Sequence, residues 1–258
     1  MTGRPDGFAL VTGATAGLGA EFSRLLAAEG RDLVLVARDG DRLEKAAAGL
    51  AERHSIEVEV LAADLSTENG RAHAADRIRA MSRPVDTLVN NAGFGLGRAF
   101  GSSDLGDEQR LLDVNVRAVL ELTHAAVGAM RPRGRGEILN VSSAAGFIPR
   151  GGGATYAAGK AWVTSFTEGL SWWLRGSGVN ACAVCPGFVR TEFHQRAGMD
   201  MRRLPGWMWL DAGRVATEAL ADLRAGKRIS VPSKRYRALL LGARLLPRSA
   251  LGRITAAW

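Results

Sequence analysis

Short apolar runs alternate with amphipathic helical stretches along almost the whole chain. This alternation is typical of repeated β-α-β units, in which buried parallel strands are joined by helices that cover the sheet. The predicted fold class is therefore α/β. Strands are predicted near 8–12, 32–37, 57–62, 86–90, 136–141, 179–184 and 228–231. Helices are predicted near 17–29, 39–53, 68–81, 107–130, 154–175 and 212–225, with a tail helix from about 235.

The chain has 258 residues, of which 47% are hydrophobic, and is long enough for one large core. No linker rich in proline, serine or charge divides it, so a single domain is predicted. No basic segment followed by a long apolar stretch precedes the first predicted strand. This pattern predicts neither a secretory signal nor a transmembrane span, and hence a cytoplasmic protein.

A cluster of glycines follows the first predicted strand and leads directly into a helix, in the segment Thr12-Gly-Ala-Thr-Ala-Gly-Leu-Gly19. Glycine is needed where the backbone turns with positive φ, approaches a pyrophosphate closely, or lets a helix pack on a strand. The free N–H groups of the helix N-terminus then attract the anion. A glycine cluster can also be a plain turn, but the order of strand, glycines and helix favours dinucleotide binding. The expected cofactor contacts here are Gly13, Thr15, Gly17, Leu18 and Gly19.

Arg38 stands at the end of the second predicted strand, where a site for NAD would usually offer a carboxylate to the ribose. A guanidinium there suits the 2′-phosphate of NADP(H), through a bidentate contact. Arg42, one helical turn further on, would assist. Asp39 keeps NAD(H) open as an alternative, because it would accept a ribose hydroxyl if the strand ended one residue later. A solvated charge at a helix start is the plain alternative for Arg38.

Two further predicted strands end in small or polar residues that would lie at the same edge of the sheet. The third is followed by Asp64 and Leu65, which would contact the adenine, and Ser66 is expected to cap the next helix. The fourth ends in Asn90-Asn-Ala-Gly93, which suits a close backbone approach to the nicotinamide ribose or, equally, a plain turn. The cofactor residues assigned here are Asp64, Leu65, Asn91, Ala92 and Gly93.

Tyr156 and Lys160 are four residues apart in a predicted helix, so their side chains share one face. An ammonium beside a phenol favours the phenolate, which would lower the pKa of the phenol from about 10 toward neutrality and suit it to acid/base chemistry. Taken alone, such a pair is more often a surface contact. Ser143, thirteen residues before Tyr156, ends the fifth predicted strand and would bring a hydroxyl to the same edge. Asn115 is unusual inside an apolar helix, because a buried amide needs hydrogen-bond partners.

These motifs together resemble the short-chain dehydrogenase/reductase family in its form of about 250 residues. The resemblance runs from about residue 8 to 192 and includes Asn115 and the segment Pro186-Gly-Phe-Val-Arg-Thr191. It implies a Rossmann-like, doubly wound parallel sheet of seven strands in the order 3-2-1-4-5-6-7. It also implies bound NAD(P)(H), and homodimers or homotetramers. Gly159 departs from the family pattern, which often has serine before the lysine, and would loosen the helix slightly.

The resemblance also implies roles for individual side chains. Tyr156 would be the acid/base, and Lys160 would hold the nicotinamide ribose and tune the phenol. Ser143 would orient the substrate oxygen, and Asn115 would hold a water of the proton relay. The further cofactor contacts that the resemblance implies are Tyr156, Lys160, Pro186, Gly187, Val189 and Thr191.

The segment 192–210 breaks the periodicity and is rich in methionine and aromatic residues. Long aperiodic loops are often lids, and adaptable methionine with tryptophan suits a large apolar ligand. The alternative is that these side chains pack on the core or on a subunit interface. Neither interpretation supplies a charged anchor, so the expected substrate is a lipophilic ketone or alcohol. The residues concerned are Phe193, Met199, Met201, Trp207, Met208 and Trp209.

The net charge of +8 is concentrated near the C-terminus. Residues 1–222 carry 25 basic and 26 acidic side chains, whereas nine Lys or Arg and no acid follow Asp222. A neutral body with a leucine-rich tail argues against nucleic-acid binding. Arg237, Arg244 and Arg248 share one stripe of the predicted tail helix. This stripe predicts either peripheral contact with an anionic inner-membrane surface or a helix packed on the body with a solvated basic face.

Cys182 and Cys185 stand three apart in a predicted strand, so their side chains would point to opposite faces and could share neither a metal nor a disulfide. Buried structural thiols are predicted instead. The four histidines show no ligand spacing, and no metal site is predicted.

Three parts of the single domain follow from these observations. Residues 1–192 are expected to form the dinucleotide-binding and catalytic core, 193–232 the substrate loop, a helix and the last strand, and 233–258 the basic amphipathic tail. The predicted function is an NADP(H)-dependent oxidoreductase that interconverts a carbonyl and a secondary alcohol on a lipophilic substrate, ketoacyl or steroid-like. The alternatives are an NAD-linked alcohol or steroid dehydrogenase and a catalytically silent NADP-sensing or scaffold protein.

Overall fold

A parallel sheet of seven strands forms the centre of the protein. The structure, a computed structural model, describes residues 7–148, 153–202 and 204–245. The strand order is β3-β2-β1-β4-β5-β6-β9. Since β7 and β8 form a separate two-stranded sheet, β9 is the seventh strand of the main sheet, and the predicted order and α/β class are confirmed. The strands are β1 (Phe8–Thr12), β2 (Leu33–Ala37), β3 (Val58–Ala62), β4 (Val85–Asn90), β5 (Gly136–Val141), β6 (Val179–Val184), β7 (Phe188–Val189), β8 (Trp209–Leu210) and β9 (Ile229–Ser230).

Helices cover both faces of this sheet. Buried side chains of α1, α2 and α8 form one core layer, and those of α3 and α5 form the other. The helices are α1 (Gly17–Ala28), α2 (Gly40–His54), α3 (Glu68–Arg79), α4 (Leu105–Leu112), α5 (Ala118–Met130), α6 (Ala154–Trp173), α7 (Phe193–Arg196), α8 (Ala212–Arg224) and α9 (Lys234–Leu245).

The strands read as continuous apolar runs because both of their faces are buried. In β2, Leu33 and Leu35 belong to the layer with α1, whereas Val34 and Val36 belong to the layer with α3. All four are fully buried. Burial of such a side chain contributes about 1.5–3 kcal/mol to stability, so a shift that exposed these side chains would be costly.

The long helix predicted over 107–130 is divided. A π-helical turn, Asp113–Arg117, separates α4 from α5 and has the buried Asn115 at its centre. The prediction of one regular helix is therefore wrong at this point. The expected cap of the third helix is also wrong, because Thr67 and not Ser66 accepts from the N–H of Gly70.

The aperiodic segment after Thr191 contains more structure than the sequence predicted. It begins with the short helix α7 and ends with a 3₁₀ turn, Gly206–Met208, that leads into β8. β8 pairs in parallel with β7, so the two ends of the segment lie side by side. We call residues 190–208, between β7 and β8, the lid.

The described part of the tail packs on the body of the protein. Helix α9 buries Tyr236 and Leu240. The guanidinium of Arg237 donates to the carbonyl of Val231 and pairs with Glu218 of α8. Arg248 and the side chain of Arg244 lie outside what the structure describes, so membrane contact through the basic stripe stays a prediction. Within the described ranges, no helix is long and apolar enough to span a bilayer.

Candidate active site

The loops that follow β1, β4, β5 and β6 open at the same edge of the sheet. In a parallel α/β sheet this carboxyl edge is where ligands bind. The structure thus brings to one edge the glycine cluster, Gly93, Ser143 and the Pro186–Thr191 segment.

The glycine cluster forms a tight turn on which the start of α1 rests. Gly13 and Gly17 have positive φ, +65° and +54°. A Cβ at Gly19 would lie 2.1 Å from the carbonyl oxygen of Gly13, and one at Gly17 would lie 3.0 Å from Cβ of Thr191. No side chain caps the N-terminus of α1 in the described structure, and its first turn carries no acidic residue. This cradle fits a pyrophosphate, which would accept hydrogen bonds from the amides at that end.

Thr12 and Asn91 fasten this turn to the end of β4. The hydroxyl of Thr12 accepts from the N–H groups of Asn91 and Ala92, at 3.0 and 2.9 Å. The amide of Asn91 donates to the carbonyl oxygens of Thr12 and Gly13, at 2.9 and 3.3 Å. The Asn91 side chain therefore holds the backbone of the glycine turn in place through these two bonds. This role of Thr12 was not predicted from the sequence, although a hydroxyl residue at a strand end, just before a glycine, indicated that it could bond to a neighbouring loop.

Two arginines follow β2 at the sheet edge where the sequence predicted the adenosine ribose. β2 ends at Ala37, so Arg38 is the first residue after the strand, and its side chain is exposed. Asp39 accepts from the N–H of Arg42 as the N-cap of α2, so this carboxylate already has a structural role. The guanidinium of Arg42 donates to the carbonyl oxygen of Thr15 at 3.2 Å and thus lies against the cradle. The same guanidinium is 3.5 Å from a carboxylate oxygen of Glu192, so Arg38 is the arginine here that is better placed to meet a 2′-phosphate.

Asp64 and Leu65 occupy the loop after β3. The carboxylate of Asp64 accepts from the N–H and the hydroxyl of Ser66, at 2.9 and 2.8 Å. The side chain of Leu65 is buried in the core. Contact with the adenine would therefore use backbone groups of Leu65, and it stays a prediction.

Tyr156 and Lys160 share one face of α6. The ammonium of Lys160 lies 5.7 Å from the centre of the Tyr156 ring and donates to the carbonyl oxygen of Val141 at 2.8 Å. Lys160 is only 4% exposed. Burial lowers the pKa of Lys160 from 10.5 to about 8, because the charged form loses its hydration. At neutral pH the group is still predominantly protonated and provides a positive charge beside the phenol.

The two serines after β5 differ in their surroundings. Ser142 is buried, and its hydroxyl donates to the carbonyl oxygen of Lys160 at 2.7 Å. Ser143 is partly exposed at the start of a 3₁₀ turn, where its oxygen accepts from the N–H of Ala145 at 3.1 Å. Ser142 thus positions the helix that carries Lys160, while Ser143 keeps a hydroxyl proton for a ligand at the sheet edge.

Asn115 lies next to Lys160 and Gly93. Its amide donates to the carbonyl oxygen of Phe94 at 2.8 Å and accepts from the N–H of Phe94 at 3.1 Å. A Cβ at Gly93 would lie 2.7 Å from Oδ1 of Asn115 and 3.4 Å from Nζ of Lys160. The π-helical turn thus delivers an amide that holds the loop after β4. The water-holding role predicted for Asn115 stays a prediction.

The residues of the Pro186–Thr191 segment contact different parts of the protein. Pro186 and Val189 are buried. Thr191 packs on Gly17 of the cradle. Gly187 is covered by the ring of Tyr236, since a Cβ there would lie 1.9 Å from Cζ of that ring. Tyr236 was missed in the sequence, where it appeared only as part of a basic amphipathic tail.

The lid places an aromatic side chain beside the phenol of Tyr156. The Phe193 ring lies 5.8 Å from that of Tyr156, and both are within 4 Å of a Cβ placed at Gly95. His194 packs edge-on against Phe193 and Trp209, with ring centres 5.4 and 5.2 Å apart. Burial in this cluster lowers the pKa of His194. The lid thereby brings the apolar ring of Phe193 next to Tyr156, while Trp209 packs on His194 from β8, and the binding of an apolar ligand here stays a prediction.

The two cysteines of the chain lie in structural surroundings. Cys182 and Cys185 are buried and form no disulfide with each other, as predicted, and burial raises the pKa of Cys182 to about 12. Within the described ranges, no group of three or more His, Cys, Asp or Glu side chains could hold a metal ion.

The buried charge of Lys160 leads to a stability prediction. Replacing Lys160 with methionine should raise the free energy of unfolding by about 1–2 kcal/mol at pH 6.5, because the desolvation of an ammonium is removed while one hydrogen bond is lost. Between pH 8 and 10.5 the unfolded wild-type chain binds more protons here than the folded one, so the wild type gains stability as pH rises. The advantage of the variant should therefore shrink across this range.

Urea denaturation at pH 6.5, 7.5, 8.5 and 9.5 measures this difference. Replacing the exposed Lys45 with methionine is the matched control, and it should change stability little and without this pH dependence. A Lys160→Met protein that is less stable than wild type at pH 6.5 would contradict the prediction.

Known proteins share both the sequence motifs and the fold. The family model of the short chain dehydrogenases matches residues 7–202. The monensin polyketide synthase putative ketoacyl reductase from Streptomyces virginiae is 38% identical, over 76% of each chain. Sulfoacetaldehyde reductase 2 from Chromohalobacter salexigens is 37% identical, over 71% of this chain and 73% of its own length.

Among solved structures, a short-chain dehydrogenase from Sphingobium yanoikuyae in complex with NADPH is 34% identical. It superimposes with a TM-score of 0.84, over 92% of this chain and 93% of its own. The family model, these relatives and the seven-stranded sheet agree with one another, and the chain belongs to the short chain dehydrogenase family of oxidoreductases.

Proposed function

We propose that this oxidoreductase uses NADP(H) to interconvert a carbonyl and a secondary alcohol on a lipophilic substrate. The observation that carries the proposal is the grouping of Tyr156, Lys160 and the Phe193 ring at the same carboxyl edge of the sheet as Arg38 and Arg42. The two arginines favour a 2′-phosphate, and the apolar ring favours a lipophilic carbonyl compound.

Each side chain of the site has a role in this reaction. The Tyr156 hydroxyl gives its proton to the carbonyl oxygen during reduction and takes it back during oxidation. The ammonium of Lys160 would hold the nicotinamide ribose and stabilises the phenolate, and the hydroxyl of Ser143 donates a hydrogen bond to the same substrate oxygen. When it is bound, the nicotinamide supplies the hydride in reduction. Asn115 and Ser142 keep Lys160 and the loop after β4 in position.

The names of the relatives state different substrates. The side chains beside Tyr156 therefore indicate which class of substrate suits this protein. An anionic substrate such as sulfoacetaldehyde needs a cation close to the reacting carbonyl. The lid residue that contacts Tyr156 and Gly95 is instead Phe193, an apolar ring. The nearby Arg196 is paired with Glu192. This arrangement favours an uncharged chain or ring system beside the carbonyl.

A series of ketones tests the substrate class. With NADPH oxidation followed at 340 nm, kcat/KM should rise about three- to fourfold for each added methylene until the apolar site is filled, because burial of a methylene contributes about 0.8 kcal/mol. Ketones of the same length that end in a carboxylate or sulfonate serve as matched controls and should be poorer substrates. A flat series, or a preference for the anionic members, would reject a lipophilic substrate while leaving the reaction class intact.

A further inference from the structure

A single phenol from the tail helix joins both ends of the lid. The Tyr236 hydroxyl accepts from the N–H of Phe188 at 3.1 Å and donates to the carbonyl oxygen of Met208 at 2.8 Å. Phe188 belongs to β7, just before the lid, and Met208 is its last residue. Tyr236 is 6% exposed. The hydroxyl thus closes the base of the lid beside the β7–β8 pairing.

The ring of the same tyrosine covers the segment after β6. Cζ, Cε1 and Cε2 of Tyr236 would lie 1.9, 2.1 and 2.3 Å from a Cβ at Gly187, so this contact requires glycine there. The neighbouring Arg235 donates to the carbonyl oxygen of Trp207 at 2.9 Å. Helix α9 therefore holds the lid through two adjacent side chains and is itself tied to the body by the Arg237–Glu218 pair.

We propose that Tyr236 is a positioning residue that holds the lid, and with it Phe193, against the catalytic Tyr156. The lid leaves the body at β7 and returns at β8, and the hydroxyl bonds to the backbone at both places. Phe193 is the lid residue whose ring packs on Tyr156. Loss of the hydroxyl should therefore disturb this ring contact while the cradle after β1 stays intact. The kinetic part of this inference rests on the proposed function, whereas the structural part does not.

Replacing Tyr236 with phenylalanine removes the hydroxyl and keeps the ring on Gly187. We expect KM for the best ketone to rise about tenfold, on the order of the loss of two hydrogen bonds. kcat should stay within about twofold, and so should the dissociation constant of NADPH measured by fluorescence titration, because neither the phenol of Tyr156 nor the cradle is touched. An unchanged KM, or an equal loss in kcat and in NADPH affinity, would overturn the proposal.

Leu240→Val is the matched control for the packing of α9. Leu240 is buried on the same helix with 6% exposure, and the substitution weakens helix packing without removing a hydrogen bond. We expect it to lower the melting temperature and to leave KM unchanged. If it raised KM as much as Tyr236→Phe does, general loosening of the helix would explain both results and the positioning role would be lost.

Limited trypsin digestion tests the lid without any substrate. The side chain of Arg202 in the lid is 89% exposed, so cleavage after it reports how readily the lid backbone opens. Tyr236→Phe should raise the initial rate of this cleavage at least fivefold, and Leu240→Val should not. If the wild type reduced no ketone but the two variants still differed in cleavage rate, the proposed function would be refuted and the role of Tyr236 kept. Equal cleavage in both variants would refute that role alone.

A pair of reciprocal variants tests the ring contact. Gly187→Ala should weaken NADPH binding at least tenfold, because the ring and the segment after β6 must move apart. Adding Tyr236→Ala should bring the affinity back to within about threefold of Tyr236→Ala alone, since the obstacle is removed. If the double variant bound NADPH no better than Gly187→Ala, the contact would not couple the tail to this segment.

Discussion

Tyr156→Phe is expected to lower kcat for ketone reduction by about three orders of magnitude, within the range that general acid catalysis contributes. The phenol is the only group in the proposed mechanism that gives a proton to the carbonyl oxygen. Its ring contacts the Phe193 ring and lies 5.7 Å from the ammonium of Lys160, and both contacts should be kept in the variant. The dissociation constant of NADPH should therefore stay within about threefold of the wild-type value. Single-turnover kinetics with pre-bound NADPH measure the chemical step directly.

The chain offers its own control, because it has two tyrosines and the second is Tyr236. The same Tyr→Phe change at position 236 should act on KM and spare kcat. Two Tyr→Phe variants with opposite kinetic effects would separate proton transfer from positioning. If Tyr156→Phe kept wild-type turnover on a genuine substrate, the assignment of the acid/base would be wrong.

Arg38→Asp is expected to reverse the cofactor preference. Loss of the guanidinium removes charge-assisted bonds to the 2′-phosphate, and the new carboxylate repels that phosphate and accepts from a ribose hydroxyl. We expect NADPH to bind about 100-fold more weakly and NADH to bind more tightly than to the wild type. The remaining Arg42, which donates to Thr15, should keep a residual affinity for NADPH.

Titration of both cofactors into each protein, at low and high salt, measures the change. Arg175→Asp, at an exposed site after α6, makes the same change in net charge away from the crevice and should leave the preference intact. If the wild type bound NADH at least as tightly as NADPH, or if Arg38→Asp changed both affinities equally, Arg38 would not select the cofactor.

The sequence was sufficient for those parts of the fold that repeat a local pattern. Leu33 to Val36 are apolar without interruption because both faces of β2 are buried, and this pattern can be recognised in one strand at a time. The strand order followed from the family resemblance and was confirmed by the sheet. Tyr156 and Lys160 were found because four residues make about one helical turn, and the structure places them on one face of α6.

Features that depend on distant partners were not predictable in the same way. β7 and β8 have two residues each, too few for any alternation to show, and their pairing joins positions 188 and 209. The apolar residues around Asn115 gave no sign of a break in the helix, and the π-helical turn places that amide against Phe94, 21 residues away in the chain. Tyr236 acts on residues 28 and 48 positions away, which no local pattern reveals.

The pairing of β7 with β8 also bears on how this enzyme can diversify. Since the two ends of residues 190–208 are already held together by the protein body, extra length between them adds little to the entropy of closure, about 0.6 kcal/mol for each doubling. The part of the segment after Thr191, which itself packs on Gly17, can therefore be lengthened or shortened while the seven sheet strands keep their register and the phenol and the ammonium keep their places. New substrates would then be acquired in the part of the chain whose alteration endangers folding least.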